Sequence, residues 1–240
     1  MKGISDMKGI IFDMDGVLID AMPFHAEAMR IAINEETDHN IDKKIVYLLE
    51  GMPGPELIKE IFKRENISNK DGDALLAEKI SKRKKELFKQ IHRSQAIEGA
   101  KELIEDLRYC NCLKALVSGA SKKEIEAILD ENIGPKSFDV VIAGDDIEEG
   151  KPHPSPFQTA LQRMNLKPSE AIVVENAPLG VEAAIRAGIE YIVTLNNTPL
   201  DISSDFKGIT SFADREKKNK IFKDTRSASN FLKKWCCYKY

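Results

Sequence analysis

Residues 10–20, IIFDMDGVLID, decide the fold, because an apolar run there leads directly into two aspartates. An uninterrupted apolar run is typical of a strand that is buried on both faces, as in the centre of a parallel sheet. Asp13 and Asp15 are two residues apart, so both side chains would point to the same side of such a strand. Two carboxylates about 5 Å apart repel by roughly 3 kcal/mol at an effective dielectric constant of about 20. A divalent cation would offset that repulsion, so the stretch predicts a metal site at the end of the strand.

Length and composition are those of a globular chain with one large domain or two smaller ones. Its 240 residues are 42% hydrophobic and 31% charged, which is ordinary for a globular protein. The formal net charge is only −3, so no overall attraction to nucleic acid or to an anionic membrane is expected. No run of about 18 apolar residues is present, and the N-terminus lacks the apolar segment of a signal peptide. These features predict a chain with neither a membrane span nor a nucleic-acid partner.

The four cysteines are Cys110, Cys112, Cys236 and Cys237. None of them forms a C-x-x-C pair, and adjacent cysteines are poorly suited to two good disulfides. A metal site built from all four is the less favoured alternative. Free thiols in a reducing cytosol are the favoured interpretation, and a cytoplasmic location is predicted from them.

The periodicity of apolar residues changes along the chain. Residues 21–95 contain several stretches with apolar residues at i, i+3 and i+4, which predict a helical bundle inserted after the first strand. The basic run SKRKKELFK at 81–89 is interpreted as a solvated face of one of these helices. From residue 97 onward helices and strands alternate, and this predicts an α/β fold with a Rossmann-like, doubly wound parallel sheet. Residues 1–20 and 96–240 are therefore assigned to the core, and 21–95 to the insert.

Polar residues follow the apolar runs where ligands bind in such sheets, beyond the carboxyl ends of the strands. Each group has a structural interpretation when it is taken alone: Ser118 as a turn or cap residue, Lys151 as an exposed lysine, and Glu175 with Asn176 as a turn. Taken together, they are interpreted as one site. Its residues are Asp13, Asp15, Ser118, Gly119, Ala120, Lys151, Glu175 and Asn176.

These groups suit phosphoryl transfer. A hydroxyl, the backbone N–H groups at a helix N-terminus and a lysine can hold a phosphate. Mg²⁺ on the acidic residues would bind a phosphoryl oxygen and neutralise developing charge. One carboxylate could then attack phosphorus, while the second transfers protons to and from oxygen.

In their order and spacing, DMDGVLID, Ser118, Lys151 and VVENAPLGVEAA resemble the four motifs of the haloacid dehalogenase superfamily. The helical insert resembles the cap of its phosphoglycolate phosphatase and β-phosphoglucomutase branch. The resemblance covers roughly residues 8–195 and implies an all-helical cap domain on the α/β core. It also argues against a dehalogenase, because that branch lacks an acid at the position of Asp15.

The resemblance implies a role for each matching residue. Asp13 would be the nucleophile, Asp15 the general acid and base, and Ser118 and Lys151 the residues that hold the phosphoryl group. The implied cofactor is Mg²⁺, bound by the Asp13 carboxylate, the Asp15 main-chain carbonyl and the acidic end of VVEN, which is Glu175 and Asn176. The implied substrate is a small phosphorylated metabolite, such as a sugar phosphate or phosphoglycolate.

Three features depart from the family pattern or stay open. The family usually carries Glu-Asp where this chain has Glu175-Asn176, so weaker binding of Mg²⁺ is expected. The mutase branch carries a lysine and an arginine in the cap loop, and here Glu50 and Gly54 align with them, which favours a phosphatase over a mutase. His25 aligns with a histidine near the site of related enzymes, but a packed or capping histidine is an equal alternative.

Glu50 and His25 are counted among the candidate substrate-binding residues on this basis. A non-catalytic protein that binds a phosphorylated ligand is the alternative from another functional class, motivated by Asn176. The chain is expected to be a monomer or a homodimer.

Overall fold

The computed structural model describes residues 8–67, 73–93, 95–206 and 219–237. Six strands in it form a single sheet in the order β3-β2-β1-β4-β5-β6, and all neighbouring pairs are parallel. The predicted doubly wound α/β fold is thus confirmed, with β1 in the interior of the sheet. The strands are β1 Lys8–Asp13, β2 Cys112–Val117, β3 Val140–Ile142, β4 Ala171–Glu175, β5 Tyr191–Leu195 and β6 Asn219–Phe222.

Helices cover both faces of the sheet, and residues of β1 alternate between them. Ile11 belongs to the buried cluster on one face, whereas Ile10 and Phe12 belong to the cluster on the other. All three are fully buried, which explains the uninterrupted apolar run. The helices are α1 Met22–Thr37, α2 Lys44–Leu48, α3 Gly54–Arg64, α4 Asp73–Ile91, α5 Ala100–Asp106, α6 Lys122–Asn132, α7 Ser155–Met164, α8 Pro178–Arg186, α9 Ile202–Asp205 and α10 Thr225–Cys237.

Helices α1–α4, called the cap helices below, are the predicted insert after β1. Helix α4 packs on α1 and α3, and α2 packs on α1. Their buried apolar residues continue into the cluster on the Ile11 face of the sheet, so they rest on the core through an apolar contact. The domain division at 20/21 and 95/96 stays a prediction, and residues 1–7 and 207–218 of the assigned core lie outside the described residues.

The C-terminal region contains one strand that the sequence did not predict. Residues 219–222 form β6, which pairs with β5 at the edge of the sheet. Two of its four residues are exposed, so it has no apolar pattern that would mark it as a strand. The closing helix was predicted and is α10.

The expectation of free cysteines is wrong in this structure. Cys110 is bonded to Cys237 and Cys112 to Cys236, with Cα–Cα distances of 5.2 and 5.3 Å. Helix α10 packs against α5 and β1, which brings its last turn next to the start of β2. Cys236 and Cys237 are adjacent, yet each is bonded to a different cysteine. This is possible because Cys110 and Cys112 are two residues apart and place their sulfurs at separate positions.

No helix within the described ranges is both long enough and apolar enough to cross a lipid bilayer.

Candidate active site

The carboxyl end of β1 lies between β2 and β4, and strand register determines what surrounds Asp13. Asp13 pairs with Val117, so Ser118 begins directly beside it. On the other side Phe12 pairs with Val174, which places Glu175 next to Asp13. Three of the predicted groups are therefore brought to one edge by the sheet alone.

Lys151 links the two acidic strand ends. Its ammonium donates to Oδ1 of Asp13 and, at 2.5 Å, to Oε1 of Glu175. All three side chains are buried. The two carboxylates raise the pKa of Lys151 although burial opposes them, so this lysine stays charged. Lys151 is therefore a buried cation in a fixed position, and the alternative that it is merely an exposed lysine is wrong.

Glu175 is held from two sides. Its Oε2 accepts hydrogen bonds from the backbone N–H groups of Asn176 at 3.0 Å and Ala177 at 3.3 Å. Helix α8 passes directly over the carboxylate at Gly180, where any Cβ would overlap the Glu175 oxygens. Sequence reasoning missed Gly180, although a glycine in the first turns of a helix was a visible signal.

The loop after β2 supplies the predicted phosphate-binding residues. Ser118 is buried, and its Oγ accepts a hydrogen bond from the N–H of Ala120 at 3.2 Å. Open space lies beside Gly119, where a Cβ would meet no atom of the described residues within 4 Å. Helix α6 follows with the capping box that Ser121 and Glu124 form. The structure thus places Ser118, Gly119 and Ala120 on one open loop beside Asp13.

Asp15 faces a histidine and a lysine from the cap helices. Nε2 of His25 lies 3.8 Å from Oδ2 of Asp15, and Nδ1 of His25 lies 2.7 Å from Nζ of Lys84. Burial lowers the pKa of His25 well below its usual value, and the charge of Lys84 lowers it further. The ring is therefore neutral and accepts from Lys84 at Nδ1, so its Nε2–H points toward Asp15 without forming an ion pair.

His25 is also a packed residue, as one of its predicted alternatives has it, whereas its part in substrate binding stays a prediction. Its ring stacks on that of Phe88 with centroids 3.9 Å apart, and the Phe88 ring stacks on His92. This stack holds the imidazole between α1 and α4, in a fixed position beside Asp15.

Lys84 is a candidate functional residue that the sequence analysis missed. It belongs to the basic run 81–89, which was interpreted as a solvated helix face, but it is partly buried and faces Asp15. Burial lowers its pKa to about 8. The signal was its position: it falls four residues after Ile80 and three before Leu87, on the apolar face of α4.

Asn176 and Glu50 meet across the boundary between core and cap. Asn176 is buried, and its Nδ2 donates to Oε2 of Glu50 at 3.3 Å. The same nitrogen packs against Gly16, which has a φ of +81° and no room for a Cβ. The predicted site residue Glu50 thus lies among the core carboxylates.

Burial governs the protonation of the two aspartates. Desolvation raises the pKa of Asp13 to about 8, with Lys151 opposing the shift and Glu175 and Asp15 adding to it. Desolvation also raises the pKa of Asp15 to about 6, opposed by Lys84 and Lys151. A carboxyl group with a raised pKa is suited to proton transfer near neutral pH.

The donor set fits a hard divalent cation. In this group of residues, three buried oxygens have no hydrogen-bond partner within the described part of the chain: Oδ2 of Asp13, Oδ1 of Asp15 and Oδ1 of Asn176. Carboxylate and amide oxygens are the ligands that Mg²⁺ accepts. Among the described residues no group of three acidic, histidine or cysteine side chains is already arranged around one point, and Lys151 lies between Asp13 and Glu175.

The chain is similar to a known protein family, to named relatives and to solved structures. The family described as haloacid dehalogenase-like hydrolase matches residues 10–194. A phosphorylated carbohydrates phosphatase from Thermotoga maritima is 31% identical to this chain, over 78% of this chain and 84% of the relative. The fructose-1-phosphate phosphatase of Escherichia coli is 28% identical, over 77% of this chain and 94% of the relative.

A solved structure described as a candidate β-phosphoglucomutase from Bacteroides vulgatus superposes with a TM-score of 0.79. It is 27% identical to this chain, and the match covers 96% of this chain and 89% of that one. The similarity therefore extends over the sheet and the cap helices together.

Proposed function

The chain belongs to the haloacid dehalogenase-like hydrolase family, and from that premise we propose that it is a Mg²⁺-dependent phosphatase. Its substrate is a small phosphorylated metabolite of the sugar phosphate or phosphoglycolate class. The reaction passes through an aspartyl-phosphate on Asp13. The observation that carries the proposal is the position of Lys151, a buried cation bonded to Asp13 and Glu175 at the end of β1.

The proposed reaction has two halves, in which Asp13 is the nucleophile and Asp15 transfers the protons. A carboxylate oxygen of Asp13 attacks phosphorus, and the bond between phosphorus and the ester oxygen breaks as Asp15 gives its proton to that oxygen. Water then attacks the phosphorus of the aspartyl-phosphate while Asp15 takes a proton from it. The bond between phosphorus and the Asp13 oxygen breaks, so inorganic phosphate leaves and the Asp13 carboxylate is restored. The raised pKa of Asp15, about 6, suits a group that must both donate and accept a proton.

Binding and orientation come from the remaining site residues. Lys151 and the Ser118–Ala120 loop hold the non-bridging oxygens of the phosphoryl group. Asp13, the Asp15 carbonyl and Asn176, with Glu175 beside them, would hold Mg²⁺, which when bound neutralises charge on the phosphoryl group. The cap helices place His25 and Lys84 over Asp15 and shield it from water.

A phosphosugar mutase is the second candidate, because a structural neighbour is described as one. A mutase must hold a second phosphate in the cap, and the resemblance puts cationic residues at the positions of Glu50 and Gly54. Here Glu50 is an acid, and it lies within 3.3 Å of Asn176. An acid in that position repels a bisphosphate, so the geometry supports a phosphatase.

Phosphate release from a panel of small phosphomonoesters tests the proposal. The purified chain is assayed with Mg²⁺ and with a chelator, beside Asp13→Asn and the control Asp130→Asn, whose side chain is exposed on α6. We expect Mg²⁺-dependent release that falls at least about 10³-fold in Asp13→Asn and is unchanged in the control.

Other results would point elsewhere. Isomerisation of a sugar phosphate after priming with a bisphosphate, without net phosphate release, would favour the mutase. Ligand binding without turnover of either kind would favour the non-catalytic binding protein.

A further inference from the structure

We propose that Glu50 supplies from the cap the carboxylate that Asn176 does not supply from the core, so that the cation site is complete only when the cap loop rests on the core. The inference rests on the proposed Mg²⁺-dependent function. It assigns Glu50 to the metal and not to the substrate, where the sequence placed it.

The contact between Asn176 and Glu50 is specific for an amide. Only the amide nitrogen can donate to a carboxylate, so the 3.3 Å contact to Glu50 orients the Asn176 side chain. Its oxygen is consequently turned away from Glu50, and among the described residues this buried oxygen has no hydrogen-bond partner. Asn176 thus offers an oxygen to a cation, and its nitrogen holds Glu50 at the edge of the same group of acids, near Asp13, Asp15 and Glu175.

The loop that carries Glu50 is seated on the core through two close backbone contacts. Gly51 has a φ of +92°, and a Cβ on it would lie 2.7 Å from Cδ of Lys151. A Cβ on Gly150 would lie 3.0 Å from the Gly51 carbonyl oxygen and from Cδ of Pro53. Larger residues at 51 or 150 would hold the loop away, so the chain is built to let it approach.

Charge explains why a cation would be needed for this approach. Glu50 faces the carboxylates of Asp13, Asp15 and Glu175, and the cations facing the same region are Lys151 and, beside Asp15, Lys84. Asn176 adds an oxygen but no charge. Binding of a divalent cation would offset the excess of acidic groups, and Glu50 restores the negative charge that the amide lacks.

Because Glu50 belongs to the cap and Asn176 to the core, metal binding and cap position are thermodynamically linked. If the seated loop, through Glu50, makes the cation bind more tightly, the bound cation must in turn stabilise the seated loop. The free energy of coupling is the same in both directions. Closure of the cap over the substrate would then depend on the bound metal.

The test is the affinity for Mg²⁺ of the full chain, measured by calorimetry without substrate. Glu50→Gln should weaken binding by about tenfold or more, since it removes the charge and keeps the shape. Asn176→Asp should tighten binding, and the double variant should return to within about threefold of wild type, because one carboxylate then replaces the other. Glu56→Gln, an exposed glutamate on α3, is the matched control and should bind as wild type.

A second measurement follows the loop itself. Hydrogen exchange at the backbone amides of residues 50–52 should slow when Mg²⁺ is added to the wild type. The same addition should have little effect in Glu50→Gln, whose fold is checked by circular dichroism.

The outcomes separate this inference from the proposed function. Unchanged Mg²⁺ affinity in Glu50→Gln, with metal-dependent phosphate release intact, would overturn the role of Glu50 alone. Absence of Mg²⁺ binding in the wild type would overturn both. A double variant as weak as Glu50→Gln would show that the two positions do not exchange roles, and it would also refute the inference.

Discussion

At the scale of single residues, the site depends on Lys151, which is buried although lysine side chains usually lie at the surface. Lys151 is 6% exposed, and Glu175 beside it is fully buried. A buried ammonium that neutralises two carboxylates stabilises the folded chain mainly because its removal leaves charges without a partner. Function and stability are therefore joined at this position.

Lys151→Met should lower the free energy of unfolding by about 3 kcal/mol at about pH 9 without Mg²⁺. The loss should be smaller at about pH 6, because the pKa of Asp13 is raised by burial to about 8 and protonation below that value relieves the unpaired charge. Urea unfolding at both pH values measures the effect. Lys101→Met, at an exposed position on α5, is the control, and an equal loss in both variants would contradict the argument.

At the scale of elements, two helices determine how the strand ends are used. Helix α8 passes over Glu175 at Gly180, and its close approach fixes the carboxylate against the N–H groups of Asn176 and Ala177. Helix α4 brings Lys84 from the cap to Asp15. Both contacts depend on where a helix packs and not on the strand that bears the acid.

Gly180→Ala should destabilise the chain by about 1–3 kcal/mol and reduce phosphate release, because the new methyl group displaces Glu175. Alanine in a helix normally stabilises relative to glycine, so a loss of stability identifies the overlap. Thermal unfolding and the phosphate assay measure the two effects. Gly119→Ala, where a Cβ meets no atom within 4 Å, is the stability control and should unfold as wild type.

Lys84→Met should raise the pKa of His25 toward its ordinary value of 6.5, because a positive charge at 2.7 Å is removed while burial remains. NMR titration of the imidazole signals follows the change. His39 is exposed and serves as the internal reference. A His25 titration that does not move would mean that Lys84 does not face it in solution.

At the scale of the whole molecule, the core and the cap helices meet at a cluster of acidic side chains, which the cap helices cover. Desolvation raises the pKa values of Asp13 and Asp15 to about 8 and about 6. A carboxyl group whose pKa is raised in the folded state stabilises the fold at low pH, and that contribution is lost as the pH rises through the raised value. Without metal, the contribution of these two groups to stability should therefore fall as the pH rises from about 4, near their ordinary pKa of 3.8, to about 8.

Mg²⁺ should reverse this trend, because protons and the cation compete for the carboxylate of Asp13. We expect the increase in Tm on adding saturating Mg²⁺ to be larger at pH 8 than at pH 6, as measured by scanning calorimetry. Asp13→Asn should lose most of the pH dependence of this increase. An increase that is independent of pH would show that the Asp13 carboxylate does not bind the metal.

The sequence by itself determined the parallel sheet, the helices that follow β1 and most of the polar residues that meet at the carboxyl edge of the sheet. The physical reason is that buried parallel strands require continuous apolar runs, and the residues that end those runs necessarily meet at one edge. Asp13, Ser118 and Glu175 could therefore be assigned to one site before their distances were known. Membership of the family, inferred from the same motifs, is confirmed.

Only the tertiary structure decided which residues of other elements reach the carboxyl edge of the sheet. Lys84 shares its run with exposed lysines, and its direction depends on how α4 packs on α1. The Glu50–Asn176 contact joins residues 126 positions apart, and the cysteine pairs join residues 124 and 127 apart. Periodicity describes the surroundings of a residue within its own element, whereas contacts between distant elements arise from packing, for which a single sequence carries no local pattern.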